Sequence, residues 1–293
     1  MKLNKMPSIK RFCQGNIKRF GRICLGYSFS DTLKIFGIAV LQSFPSTIRK
    51  KISGFDRKID EITEKLCKNI IIEIDSIKYS LLDYESLQIL SRDFESYMPV
   101  WLRPEKGEIF LDVGAHIGKY TLRAAKTVED KGLVVAIEAH PLNYQTLKRN
   151  IELNKARNVI ALNLVAWNED CKLEFFFGSA SGQHSAKADS GCGSLEVEAR
   201  ALDHVLEKLG VGLVNWVKID VEGAEFEVLR GLEETITKYK PKMIVEVFCQ
   251  NIDKVEKFLM NLGYDLVRIA RVDISPHKAD SEWGVYLFCI PFF

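Results

Sequence analysis

The stretch Ile109-Phe-Leu-Asp-Val-Gly-Ala-His-Ile-Gly118, continued by Lys119 to Val128 and Leu133-Val-Val-Ala-Ile-Glu138, decides the fold. Ile109 to Val113 is a short apolar run that stops at a glycine turn, which reads as a strand. Lys119 to Val128 reads as a helix and Leu133 to Ile137 as a second strand. Leu142 to Asn154 carries apolar Leu142, Leu147, Ile151 and Leu153 and reads as a helix, and Val159 to Val165 is a third strand. A β-α-β-α-β order needs crossover connections, so the strands run parallel with right-handed crossovers.

Downstream, Lys172 to Phe177 and Leu195 to Arg200 read as strands flanking a loop rich in Ser, Gly and Ala from Gly178 to Ser194. An irregular loop of this length inside an α/β domain is a common place for function. Regular alternation resumes with a helix over 202–209, a strand over 216–219, a helix over 224–238, a strand over 242–247 and a helix over 253–262. It ends in a strand pair over 266–269 and 285–290. Upstream, residues 56–68 repeat Ile59, Ile62 and Leu66 at helical spacing. Residues 69–75 and 77–82 read as two short strands, and 84–102 as one helix ending before Pro104.

Three clusters carry chemistry. The first is the turn Asp112-Val-Gly-Ala-His-Ile-Gly118, where Gly114 and Gly118 allow backbone to approach a ligand at a helix N-terminus. Its G-x-x-x-G spacing is neither the dinucleotide fingerprint nor a P-loop. An acid two residues before the first glycine opposes a pyrophosphate and suits a positively charged ligand. The second is Glu138, one β-α-β step later, where an acid at a strand end binds ribose hydroxyls. The third is Lys218-Ile-Asp-Val-Glu-Gly-Ala-Glu225, with more acids than helix capping needs.

Together these residues resemble the FkbM-type S-adenosylmethionine-dependent methyltransferases over roughly residues 70–290, mainly through Ile-Asp-Val-Glu-Gly-Ala-Glu. The resemblance implies a Rossmann-like class I methyltransferase: a mostly parallel seven-stranded sheet with helices on both faces and the last strand antiparallel. It implies S-adenosylmethionine as cofactor, with Asp112, Gly114 and Gly118 at the methionine end and Glu138 on the ribose. Ala166 and Trp167 would lie near the adenine, and Asp220 beneath the sulfonium. Ala139 departs from the proline that often follows the acid. The activity implied is O-methylation of a hydroxyl on a sugar, glycan or small metabolite. A hydroxyl acceptor needs a general base, for which Glu222, Glu225 and His184 are the candidates. A metal-assisted variant would draw on Asp220, Glu246 and Asn251, but their spacing is loose and no metal is expected. Alternatives are a tRNA or other nucleic-acid methyltransferase, opposed by the crowd of carboxylates, and a cofactor-binding module without catalysis.

Charge divides the chain. Residues 1–51 hold 11 Lys or Arg and one acid, Asp31, a local +10 in a chain of net charge +2, which leaves −8 elsewhere. A basic, helical extension over residues 1–68 is therefore expected ahead of a methyltransferase domain over 69–293, with residues 1–51 separable and drawn to anionic membrane. The run Ile35 to Phe44 is too short to span a bilayer. The seven cysteines are scattered without a C-x-x-C pair, which points away from zinc modules and towards a reducing, cytoplasmic setting with peripheral membrane contact.

Overall fold

A computed structural model of the chain describes residues 26–43, 55–91, 93–178, 181–187, 191–273 and 283–292. The described residues group into two compact units that divide after Glu95.

In the first unit, helix α1 (Phe29–Gln42) is capped by Ser28 and packs on helix α2 (Phe55–Cys67). The hairpin β1 (Ile71–Ile74) and β2 (Ile77–Ser80) comes next, then helix α3 (Tyr84–Ile89). Gly26 bridges Ile72, Gln42 donates to Thr63 at 3.1 Å, and the Tyr84 N–H donates to Glu64 at 3.3 Å. These ties bear on two expectations. The boundary falls at 95/96 rather than 68/69, because the hairpin and α3 belong with the helices. Residues 26–43 pack with this unit, since α1 lies on α2, and the remainder of the expected 1–51 extension lies outside the described residues.

The second unit begins with the short helix α4 (Met98–Trp101) and is built on a seven-stranded sheet. Strands β3 (Ile109–Val113), β4 (Leu133–Ile137) and β5 (Val159–Leu162) run to one side, with helices α5 (Lys119–Val128) and α6 (Pro141–Leu153) as crossovers. Strands β6 (Val165–Trp167), β7 (Cys171–Phe176) and β8 (Ser194–Ala201) form a separate three-stranded sheet leading to helix α7 (Leu202–Lys208). The chain then returns to the main sheet through β9 (Trp216–Ile219), helices α8 (Glu225–Arg230) and α9 (Glu233–Tyr239), and β10 (Lys242–Phe248). Helix α10 (Ile252–Asn261) and the strands β11 (Tyr264–Asp273) and β12 (Trp283–Pro291) complete it.

The strand order is β11-β12-β10-β9-β3-β4-β5, with β12 antiparallel to both neighbours and every other pairing parallel. This is the class I methyltransferase arrangement expected. Its order reverses between β3 and β9, and open α/β sheets bind ligands in the crevice at such a switch point. One sheet face packs Val113, Val135, Val217 and Val245 against α7 to α10, and the other packs Phe110, Trp216 and Ile244 towards α5 and α4. Central strands buried on both faces tend to be apolar throughout, and β4 is.

Two expected helices are each broken. The 84–102 segment splits into α3 and α4, with Pro99 opening the second. The 224–238 segment breaks at Gly231, where a Cβ would lie 1.9 Å from the Trp167 carbonyl oxygen. The expected strand over 159–165 also ends at Leu162, and Val165 starts β6.

Candidate active site

At the switch point the turns after β3 and β9 are pressed together. The Asp220 N–H donates to Val113 O at 3.1 Å, and a Cβ on Gly114 would come within 1.8 Å of the Asp220 carbonyl oxygen. Gly114 also sits at φ +79°, and Gly118, at φ +95°, would drive a Cβ to 2.7 Å from Leu147. Both glycines were expected to make room for a ligand. They also allow the protein's own elements to meet.

Asp112 is fully buried beneath this turn. Its Oδ2 accepts from Thr121 at 2.6 Å, while Oδ1 has no hydrogen-bond partner and lies 3.8 Å from Lys218 Nζ. Burial raises the Asp112 carboxyl, with Lys218 and Thr121 pulling against it. Lys218 is itself 2 % exposed and donates to Asp220 Oδ2 at 3.1 Å. Asp220 continues the network, hydrogen-bonded to Glu246, whose Oε2 accepts from Tyr286 at 3.0 Å. A hydrogen bond between two carboxyl groups requires a shared proton. Burial alone would raise Asp220, but Lys218 and the Glu246 bond outweigh it and hold its carboxyl below the usual range. A polar chain from Thr121 to Tyr286 thus crosses β3, β9, β10 and β12.

Glu138 closes the other side. It is 6 % exposed, its Oε2 accepts from the His116 N–H at 2.7 Å, and its Oε1 accepts from the His140 N–H at 2.9 Å and Asn143 at 3.3 Å. Burial pushes its carboxyl up to about 7 despite those three donors. A carboxylate offers about four lone-pair positions, so one remains, on Oε2. Asn163 fixes the same turn by donating to the carbonyls of Glu138 and Ala139, both at 2.8 Å.

The loop between β7 and β8 lies across these turns. Ser181 meets His116 Nε2 at 2.9 Å and accepts from Asn143 on its carbonyl at 2.7 Å, and Ser185 donates to the Glu222 carbonyl at 2.7 Å. His184 was expected as a base candidate. Its Nδ1 instead accepts from the Gly178 N–H at 2.9 Å and its ring stacks on His140 at 3.8 Å, so it shapes the loop.

Glu225, the second expected base, is corrected too. It is fully buried, accepting from the Gly223 N–H at 2.8 Å and from Asn251, which also donates to Gly223 O. Those contacts brace the turn and keep Glu225 buried. They also turn the Asn251 amide nitrogen inward as a donor, so the grouping of Asp220, Glu246 and Asn251 does not assemble as metal ligands. Glu222 stays half-buried at the rim with φ +51°. Ala166 is buried in the main core, and Trp167 packs with Val165, Phe175 and Ala139 at the edge of the three-stranded sheet. Lys218, His116, Asn143 and Ser181 had no role in the sequence reading. Only Lys218 had a visible signal, a charge inside an otherwise apolar central strand.

Sheet order, switch-point crevice and acidic strand ends define a Rossmann-like methyltransferase of class I. The model of the methyltransferase FkbM domain matches residues 112–266, and the chain belongs to that family. It is accordingly an S-adenosylmethionine-dependent methyltransferase. It is similar to Methyltransferase 1 of Beauveria bassiana (strain ARSEF 2860), with 27% identity over 188 residues, 57% of this chain and 75% of the relative. The hexuronic acid methyltransferase AglP of Haloferax volcanii is 30% identical over 134 residues, 45% of this chain and 53% of the relative. Among solved structures, the methyltransferase FkbM from Methylobacillus flagellatus KT aligns with a TM-score of 0.48 at 14% identity, over 95% of this chain and 59% of that one.

Proposed function

We propose that the protein methylates a hydroxyl oxygen on a sugar, glycan or small metabolite. The carrying observation is the concentration of carboxylates, Asp112, Glu138, Asp220, Glu222 and Glu246, at adjoining strand ends around the switch point. When bound, S-adenosylmethionine supplies a methyl group already activated on a cationic sulfur. The residues fit it: the buried Asp112 Oδ1 lacks a hydrogen-bond donor, and the site is rich in negative charge. Asp112 and Asp220 would hold the cationic end, and the remaining Oε2 position of Glu138 would accept from ribose. Backbone of the 114–118 turn would lie along the cofactor, and Ala166 and Trp167 would border the adenine.

The same carboxylates disfavour a polyphosphate acceptor and favour a neutral hydroxyl. The relative that acts on hexuronic acid supports a saccharide class. An acceptor hydroxyl must lose its proton as the methyl group arrives, and the half-buried carboxylate of Glu222 would take it. Lys218 keeps Asp220 ionised beside it, so the rim stays negative without water.

The test is turnover with labelled S-adenosylmethionine on a panel of neutral sugars, hexuronic acids and tRNA, read by mass spectrometry. Wild type should methylate a saccharide and leave tRNA untouched. Glu222→Gln should lose about a hundredfold or more in kcat and keep cofactor affinity. Glu225→Gln should lower thermal stability before it affects kcat. Methylated tRNA with unmodified saccharides, or full kcat in Glu222→Gln, would sink the proposal.

A further inference from the structure

Helix α1 has apolar side chains on two opposite sides. Ile35, Ile38 and Ala39 are buried, whereas Phe29, Leu33, Phe36 and Val40 are exposed by 79, 54, 63 and 43%. At 3.6 residues per turn the exposed four fall within roughly 60° of one another, a single ridge along the helix. Tyr27, 53% exposed, stands at its start. From the usual areas of these side chains the ridge exposes on the order of 400 Å², a patch large enough to mark an interaction surface. The helix has 14 residues, and among the described residues no helix is long and apolar enough to cross a membrane.

The sequence on either side of this helix carries charge of one sign. Residues 1–25 carry seven Lys or Arg and residues 44–54 carry three, with no Asp or Glu in either stretch. Asp31 is the one acid in the first 54 residues, and it is turned inward. It is 8% exposed, accepts from the Ser28 hydroxyl at 2.7 Å and pairs with Lys34 at 3.9 Å. An apolar ridge on a helix flanked in sequence by lysines and arginines matches a surface that is anionic outside and hydrocarbon beneath. A nucleic acid would satisfy the cations but give Leu33, Phe36 and Val40 no apolar phase to enter. A second copy of the chain would cover the ridge but bring a second set of the same cations to it.

We infer that α1 docks the protein on anionic phospholipid membrane, with Phe29, Leu33, Phe36 and Val40 entering the acyl boundary and the flanking lysines and arginines on the headgroups. The interface would be peripheral and reversible, and it would bring the methyltransferase to acceptors held at a membrane. The inference rests on α1 and the charges flanking it in sequence, and stands whichever acceptor the active site takes.

Co-sedimentation of the full chain with vesicles tests it, using phosphatidylcholine alone and phosphatidylcholine with phosphatidylserine. Wild type should pellet with the anionic vesicles, stay in solution with the neutral ones, and be released by high salt. Leu33→Ser/Phe36→Ser should lower the anionic-vesicle partition by about tenfold or more, while S-adenosylhomocysteine binding stays at wild-type strength. Lys10→Glu/Arg11→Glu/Lys18→Glu/Arg19→Glu tests the charge arm without touching the helix and should release the protein likewise. Equal pelleting by wild type and both variants overturns the inference. So does a Leu33→Ser/Phe36→Ser variant that turns a dimer into a monomer with no change in vesicle binding, and so does binding of tRNA in place of vesicles.

Discussion

Protonation of Glu138 should set how tightly the cofactor is held. Burial raises this carboxyl to about 7 from an ordinary 4.5, against hydrogen bonds from His140, His116 and Asn143. Only the ionised form has its full set of lone pairs for a ribose hydroxyl. About a tenth of Glu138 is ionised at pH 6 and about nine-tenths at pH 8, so affinity should rise about tenfold across that interval. His140, the imidazole beside it, is pushed down by burial. Stability of the free protein should run the other way. The fold binds this proton more tightly than the unfolded chain does, so the stabilisation is full below pH 4.5 and is lost as pH rises through about 7. That loss amounts to up to about 3 kcal/mol. Calorimetric titration with S-adenosylhomocysteine between about pH 6 and pH 8 reads the first slope, and denaturant unfolding over the same range reads the second. Glu138→Gln should bind more weakly, because its amide opposes one of the three N–H donors, and should do so equally at both pH values. A flat wild-type titration, or the same slope in Glu138→Gln, would show that Glu138 does not meet the cofactor.

Gly114→Ala should cost about 3 kcal/mol or more, because the new methyl meets the Asp220 carbonyl and the backbone is left-handed there. Thermal unfolding checks it, and a variant of wild-type stability would mean the two turns are not in contact. Lys218→Met should cost about 3–5 kcal/mol, since it removes the cation from the buried Asp112 and the half-buried Asp220. Urea unfolding that shows no loss would place those carboxylates in water.

The parallel core was legible because its pattern is local. Lys119–Val128, Leu133–Ile137 and Trp216–Ile219 are observed with the bounds their spacing predicts. The missed breaks have causes of different range. Pro99, inside the expected helix over 84–102, is a local signal and opens α4. Gly231 breaks its helix because of Trp167, sixty-four positions away in the chain, which no window of sequence contains. The site divides in the same way. Asp112, Glu138 and Asp220 stand at strand ends and were found by position. What each carboxyl does depends on partners from other elements: Glu225 is consumed by Asn251, and His184 by Gly178 and His140. Asn143 and Ser181 lie on a helix face and in an irregular loop, and nothing in their neighbourhood distinguishes them before folding.

The loop between β7 and β8 has a kinetic consequence. Ser181 is fastened to His116 and Asn143, the same residues that hold Glu138, and Ser185 is fastened to the turn carrying Glu222. A ligand that passed between Glu138 and Glu222 beneath this loop would have to detach those serines. Arrival and departure then share one gate, so cofactor association should fall below the encounter rate, and product exchange rather than methyl transfer is placed to limit the turnover cycle.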